Sequence, residues 1–395
     1  MNIMLFTEIP PCTNYTAGIV LNDMCEFLLE GGHNVSCFYI HSPLEFNIPD
    51  DKKERINFKS AEKPFEYWGH KKYSFIQSLL GNNIKVRSHL KAIVDDVTAF
   101  VQQNSVDLIW VVVQGQSIIK LTRPISQNTG VPYVVQLWDP LIWWLTETKC
   151  DIFTRALVFR EYKRVIKESE CLIAASWAMA EGYQKKYKCK KSIPVIRGFE
   201  TGRMNPTRSK DDGRYIIAMS GQMYAAEELK TLIGALRSLN WTINDKTVCL
   251  KLYGHEFNLE LEEGDNVELL GWYKQAELLQ ELANADLLYC PYKFDTSFEE
   301  VAKFSFPSKL STYLKTGVLV LFHGPEYSSP QKFLEENNAA YLCNSNNIHE
   351  VSQTLVNIDN DQQSSEIVTN GYEAFLSHLT LDKMKENFYK ALGLG

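Results

Sequence analysis

The 395-residue sequence contains no apolar run of membrane-spanning length. Its longest runs, LIWVVV at 108–113 and VLVLF at 318–322, are the size of buried strands, far short of the roughly 18–20 residues a membrane helix needs. The opening residues, MNIMLFTEIPP, lack the charged start and small-residue cleavage site of a secretory signal. Together these absences point to a cytoplasmic chain, either free or resting peripherally on the inner face of the cell membrane. No two of the nine cysteines (12, 25, 37, 150, 171, 189, 249, 290, 343) are spaced C-x-x-C, and no histidines cluster beside them. That argues against a structural zinc site and a disulfide framework, and makes Cys37, Cys249 and Cys290 small core residues. No G-x-G-x-x-G follows a strand-like run, which disfavours a dinucleotide oxidoreductase. Excess positive charge is also missing. The net charge is −7, so general nucleic-acid binding is not expected.

The charge that is present is unevenly placed. Residues 1–198 carry a net +4 and the remainder −11, as two domains with different partners would. The length also exceeds one ordinary core. Along the chain, apolar strands alternate with amphipathic helices: NIMLFTE (2–8), a helix from 17 closed by Gly31-Gly32, then NVSCFYI (34–40). This β-α-β grammar runs to IPVIRGFE (193–200), apart from an irregular polar and aromatic region at 43–80 that reads as a loop-rich insertion. A polar stretch, TGRMNPTRSKDDG (201–213), reads as a linker. The alternation restarts at RYIIAMSG (214–221). The expected fold is therefore α/β, with two Rossmann-like doubly wound domains.

Parallel sheets bind ligands at the carboxyl ends of their strands. In the second half those ends present Gly221-Gln222, Gly254-His255, Gly271-Trp272-Tyr273 and Pro291-Tyr292-Lys293. A helix opened by FPSKL (306–310) follows and is closed by Gly317. Its start either offers free N–H groups and a positive dipole end to a phosphate, or simply begins with a residue that starts helices well.

These segments resemble a known family. YIIAMSG, LKLYGHE, NVELLGWYKQAELLQELANADLLYCPY and FPSKLSTYLKTGVLVLFHGP follow the order of the donor domain of GT-B glycosyltransferases of the family 4 type, the glycosyl transferases group 1. Gly32, His33 and Val35 resemble a motif of the acceptor domain. The resemblance implies a GT-B architecture: residues 1–200 bind the acceptor, 201–370 bind the nucleotide-sugar donor across a cleft, and a C-terminal helix (371–395) crosses back to the first domain. It implies a retaining, metal-independent transferase with no tightly bound cofactor, using a UDP-, GDP- or dTDP-sugar. The acceptor would be a glycan or lipid-linked saccharide in surface polysaccharide or lipopolysaccharide biosynthesis. Another GT-B reaction on a UDP-sugar, of the epimerase type, and a non-catalytic nucleotide-sugar-binding relative are the alternatives.

By position, Gly221 and Gln222 would approach the diphosphate, Gly254 would border the nucleotide, and Trp272 and Tyr273 would flank the base. Ser308, Lys309 and Leu310 would offer backbone N–H groups to the phosphates. Thr312 stands where relatives carry a ribose-binding Glu. The sequence departs from the family in two respects. The Arg and Lys expected after the first donor-domain strand are absent, with Gln222, Glu227 and Glu228 in that region. The paired Glu motif is also absent, Phe304 and Thr312 filling its places. Glu299 or Glu300 is a candidate displaced partner for the pair. Lys303 and Lys309 are candidates for the missing positive charge.

On the acceptor side the strand ends present Glu8, Thr16, Gly18, Gln114, Trp138 and Asp139. Asp139 and Glu8 are the candidate catalytic carboxylates. Asp139 is equally readable as a helix N-cap, and Gly18 as a helix start without a ligand. WDPLIWWL (138–145) concentrates three tryptophans suited either to a sugar face or to core. KKYKCKK (185–191) is either a solvated helix end or a contact for anionic lipid.

Overall fold

The structure, a computed structural model, describes residues 1–41, 44–67, 73–208, 212–254, 257–360 and 363–394. His255 of the LKLYGHE segment and part of the 201–213 linker lie outside the described residues. The chain forms two units. One is Met1–Val195 with Lys385–Gly395, and the other is Ile196–Met384. Divisions fall at 195/196 and 384/385, where the sequence placed them at 200/201 and 370/371, so residues 371–384 group with the second unit.

In the first unit, seven strands form one sheet: β1 (Asn2–Thr7), β2 (Asn34–His41), β3 (Asn57–Glu62), β4 (Leu108–Val112), β5 (Tyr133–Leu137), β6 (Leu172–Ala174) and β7 (Ser192–Pro194). Their order is β3-β2-β1-β4-β5-β6-β7, and every neighbouring pair is parallel. Parallel strands are covered on both faces and read as continuous apolar runs; all five residues of β4 are buried. Trp110 of β4 donates from Nε1 to Gln136 Oε1 at 2.8 Å, and its ring meets Phe388 at 4.8 Å. Phe388 lies on the helix Leu381–Leu392, whose Lys385 pairs with Glu30 at 2.9 Å. The tail read as one helical stretch at 371–393 is in fact two helices, Ser364–His378 and Leu381–Leu392, separated at 379–380.

The region 43–80, expected to be irregular, contains the helix Asp50–Arg55, β3 and the helix Phe75–Leu80. Strand β3 escaped because NFKSAE offers only Phe58 and Ala61 as apolar residues. It is an edge strand, only partly covered, with no periodicity to detect. The helix Leu141–Glu147 was likewise hidden, inside WDPLIWWL.

In the second unit, the strands are β8 (Arg214–Ser220), β9 (Thr242–Ile243), β10 (Lys246–Tyr253), β11 (Val267–Gly271), β12 (Leu287–Pro291), β13 (Leu319–His323) and β14 (Tyr341–Cys343). Their order is β11-β10-β8-β12-β13-β14. The short β9 pairs with β10 and is antiparallel to it. Ile217, Met219, Leu250 and Leu252 pack with Leu229, Leu232 and Leu236 of the helix Ala226–Ser238 in one buried core. Each sheet reverses its winding between its first and fourth long parallel strands, β1/β4 and β8/β12. That is where a doubly wound fold leaves a crevice at the strand ends. All nine cysteines are buried and free.

Gly18, expected as a close-approach position, has a packing role. It lies buried in the helix Thr16–Glu30, and a Cβ there would sit 2.2 Å from Cys12 Sγ and 3.0 Å from the Pro10 carbonyl. The Cys12 N–H donates to the Gly18 carbonyl at 3.2 Å, so the β1–helix loop folds onto this glycine. Gly18→Ala should therefore cost about 1–3 kcal/mol of stability by overpacking, and Cys12→Ala should restore part of it. Chemical denaturation of the two single variants and the double variant measures this. Equal losses in Gly18→Ala with and without Cys12→Ala would contradict the packing role.

Candidate functional site

At the end of β8 the chain turns through Gly221, whose φ is +99°. The Gly221 N–H donates to the Tyr253 carbonyl at 2.9 Å, and the Gly254 N–H to the Gly271 carbonyl at 2.7 Å, so three strand ends lie side by side. Gly254 has φ +154°, and a Cβ there would meet the Gly221 carbonyl oxygen at 2.5 Å. Its absent side chain is therefore required by backbone packing, whatever else it borders.

Beneath Gly221 lies the helix Ser308–Thr316, with Pro307 at its N-cap and no side-chain cap, so its first N–H groups depend on other partners. The Leu310 N–H already donates to the Pro307 carbonyl at 3.0 Å, and Leu310 is buried. That leaves the N–H groups of Ser308, which is exposed, and Lys309, which is partly buried, at the start of the helix. Tyr313, one turn on, accepts the Ser220 N–H at 2.8 Å and so ties the helix to the strand end. Lys309, on the same face, points its side chain at Gly221; a Cβ on that glycine would stand 3.7 Å from Lys309 Cε and 3.9 Å from Nζ.

The Lys309 ammonium is buried and has no hydrogen-bond partner among the described residues. It stands 4.8 Å from the centroid of the Tyr224 ring, which forms an aromatic wall with Tyr292 and Phe298. Burial holds the Lys309 pKa below its ordinary value. Burial also pushes the adjacent Cys290 thiol up to about 12, so that thiol supplies no counter-charge at neutral pH. Lys303, the other expected cation, pairs with Glu299, which engages one of the two candidate displaced carboxylates. Gln222 is exposed beside Gly221, and Thr312 is half-buried on the helix. Trp272, 65% exposed, and Tyr273, edge-on to Tyr253 at 5.3 Å, follow β11. That strand lies two away from β8, or about 10 Å, so they stand apart from the Lys309 cluster. Tyr224 and Tyr313 were missed in the sequence; the available signal was Tyr313 four residues after Lys309.

In the first unit, the ends of β4 and β5 enclose a cavity of about 220 Å³ lined by Gln114, Gly115, Trp138, Asp139, Trp143 and Trp144, among others. Three predicted residues, Gln114, Trp138 and Asp139, therefore meet. Gln114 Oε1 accepts from Thr7 Oγ1 at 3.1 Å and from the N–H groups of Glu8 (3.1 Å) and Ile9 (3.2 Å), which locks the β1 end to this wall. Glu8 lies against Gly115, where a Cβ would be 2.4 Å from Glu8 Oε1. That oxygen is buried and has no partner among the described residues. The other, Oε2, accepts from Lys63 Nζ at 2.7 Å. Lys63 also faces Glu66 at 3.3 Å, and Glu66 accepts from the Ser117 hydroxyl at 2.8 Å. Burial, partly offset by Lys63 and reinforced by Glu66, raises the Glu8 pKa from 4.5 to about 7. Burial lowers that of Lys120 to about 8; its ammonium donates to Gln116 Oε1 at 2.7 Å and to the Asn82 carbonyl at 2.8 Å. Lys63, Glu66 and Asn82 fall in or beside the stretch whose structure the sequence concealed. Thr16 is exposed at the start of its helix, apart from this cluster. Among the described residues, no group of three or more His, Cys, Asp or Glu is placed to hold a metal ion.

The geometry matches known proteins throughout its length. Sucrose-phosphate synthase from Thermosynechococcus elongatus superposes with a TM-score of 0.71 at 13% identity, covering 100% of this chain and 98% of that one. HepE of Anabaena in complex with UDP gives 0.66 at 14% identity, covering 100% of both. The lipopolysaccharide outer core galactosyltransferase WaaB gives 0.64 at 11%, covering 100% and 99%. The fold is GT-B. Within this GT-B chain, residues 232–373 match the family model of the glucosyltransferase 3-like C-terminal domain, which includes the Lys309 helix. No curated protein matches the sequence.

A carboxyl whose pKa is raised by folding contributes stability that is present below its unfolded value, near 4.5, and lost as pH rises through its folded value, here about 7. Denaturation at pH 5 and pH 8 should therefore show Glu8→Gln gaining on the parent chain as pH rises. An identical pH dependence in the two proteins would rule out the perturbed carboxyl.

Proposed function

We propose that the chain is a retaining glycosyltransferase that moves a sugar from a nucleoside-diphosphate sugar to a saccharide or lipid-linked saccharide acceptor. One observation carries this reading: a buried lysine ammonium with no hydrogen-bond partner among the described residues, at the β8/β12 switch point, beside the uncapped start of a helix. An anion answers both features, since the cation gains a charge-assisted partner and the helix dipole a negative group. The chemistry of a nucleoside diphosphate fits, and the solved HepE structures contain UDP, UDP with glucose, and UDP-glucose. UDP is accordingly the first nucleotide to test, with GDP and dTDP beside it.

In the reaction, the anomeric carbon–oxygen bond breaks and negative charge gathers on the departing diphosphate. Lys309 Nζ and the N–H groups of Ser308 and Lys309 stabilise that charge without needing a metal. The sugar passes through an oxocarbenium-like state, by analogy with glycosidases. Gly221 and Gln222 border the diphosphate, Thr312 faces the ribose, and Gly254, Trp272 and Tyr273 border the nucleoside. On the acceptor side, the tryptophan-lined cavity holds a sugar ring by stacking. Asp139, Gln114 and Glu8 take its hydroxyls, with Thr16 at the outer edge. Surface polysaccharide or lipopolysaccharide synthesis is the setting this acceptor chemistry fits.

Lys309→Met should have opposite effects on the free and the liganded protein. Removing a buried cation that lacks a counter-charge should leave the free chain as stable or more so. Affinity for the nucleoside diphosphate should fall roughly tenfold to a hundredfold, the 1.5–3 kcal/mol of a hydrogen bond to a charged group. Thermal-shift titration of both proteins with UDP, GDP and dTDP reads both effects. Unchanged affinity in the variant would remove the phosphate site. Release of nucleotide from the sugar donor in the parent chain then separates a transferase from a binding protein.

A further inference from the structure

The lysine run at 185–191, a candidate lipid contact in the sequence, is exposed, and four of its five lysines also make contacts on the protein surface. Lys185 pairs with Glu181 and Lys190 with Glu170, both at 2.6 Å. Lys191 donates to the Lys390 carbonyl at 2.7 Å, and Lys186 lies over the rings of Tyr183 and Tyr187.

A different surface of the first unit presents large apolar side chains to solvent. Phe75, Ile76 and Leu80, on the helix Phe75–Leu80, are 48%, 65% and 41% exposed. Ile84 in the following π-turn is 55% exposed. Ile152, Phe153 and Leu157 of the helix Ile152–Glu168 are 67%, 55% and 39% exposed. The two elements adjoin. The Phe75 and Phe153 rings are 5.8 Å apart, the Ser78 hydroxyl donates to Asp151 Oδ2 at 2.8 Å, and Asn83 Nδ2 donates to Thr154 Oγ1 at 2.7 Å. Their polar side chains are thus spent holding the elements together, and their largest apolar side chains face outward. A contiguous apolar surface of this kind marks an interaction site.

Charge selects the partner. Residues 75–91 and 149–160 contain Lys85, Arg87, Lys91, Lys149, Arg155 and Arg160, and a single carboxylate, Asp151, which is bonded to Ser78 and the Thr154 N–H. Lys85, Arg87, Lys149 and Arg160 are exposed. This surface is basic in a chain whose net charge is −7. Apolar side chains that project among cations fit the boundary of an anionic bilayer, where they enter the headgroup and acyl region and each nearby cation adds attraction. Among the described residues, no helix is long and apolar enough to cross a membrane, so any such contact would be peripheral.

We infer that the face formed by Phe75, Ile76, Leu80, Ile84, Ile152 and Phe153 docks the protein on anionic phospholipid. The inference stands on this surface alone and does not depend on the glycosyltransferase reading.

Flotation with vesicles of phosphatidylcholine alone, or of phosphatidylcholine mixed with phosphatidylglycerol, tests it. The parent chain should bind the mixed vesicles, bind the neutral ones far less, and release as salt rises. Ile76→Ser with Ile152→Ser removes two side chains that already face solvent, so the fold should survive, which an unchanged unfolding transition would show. Vesicle binding should fall at least tenfold, since two apolar side chains would no longer enter the bilayer. Lys85→Glu should weaken binding at low salt only. Three results would overturn the inference: no preference for anionic vesicles, equal binding by the double serine variant, or a concentration-dependent dimer that the same variant abolishes. The last would assign the face to a second copy of the chain. None of these readouts involves a nucleotide, so failure here is separable from failure of the donor site.

Discussion

A lysine ammonium with no counter-charge among the described residues, held under the turn that ends β8, is the constraint around which the second unit is arranged. Lys309 reaches that position because Pro307 sets the start of its helix and Tyr313, one turn later, receives the Ser220 N–H. Gly221 leaves the space above it, and the Tyr224 ring beside it offers only a weak cation–π contact at 4.8 Å. An ion removed from water with so little compensation is costly in the free protein. The same low dielectric would strengthen its attraction for the diphosphate proposed above. The absence of the Arg and Lys that relatives carry after the first strand of this domain is consistent with that arrangement, since a cation from the neighbouring helix reaches the same strand end.

The first unit shows a related economy with different chemistry. Gln114 gathers the end of β1 onto the end of β4, and Glu8 is pressed against Gly115 between that junction and Lys63. Two carboxylates share Lys63, and burial raises the pKa of Glu8. Glu66 also has Ser117 as a hydrogen-bond partner, whereas one oxygen of Glu8 has none among the described residues. Gly115 also lines the cavity walled by Trp138, Trp143 and Trp144. Aromatic faces, amide groups and a carboxyl that is proton-active near neutral pH form a set suited to a polyhydroxylated ligand.

Much of this was legible in the sequence. Continuous apolar runs such as LIWVV and LVLFH became central parallel strands, because burial on both faces imposes that composition. The helix from Ser308 to Thr316 was marked at both ends by Pro307 and Gly317. Strand β3 was not legible, because an edge strand needs few apolar residues. The loss of β3 hid Lys63 and Glu66 with it, since their significance comes only from β3 aligning beside β2 and β1. Gly18 and Gly254 looked like ligand positions, and only three dimensions show Cys12 and Gly221 requiring them. The pairing of Lys303 with Glu299 was available as an i, i+4 spacing, but helical register there depended on a short helix, Glu299–Phe304, that the pattern did not reveal.

If the Lys309 ammonium is the electrostatic partner of a nucleoside diphosphate, its titration responds to that ligand. Titrating 13C-labelled lysine side chains by NMR, with Lys309→Met to assign the resonance, tests it most directly. Lys309 should titrate below an ordinary lysine in the free protein, because burial disfavours the charge, and should shift upward when UDP is bound. A Lys309 that titrates like a solvent-exposed lysine, or whose pKa is the same with and without saturating nucleoside diphosphate, would contradict it.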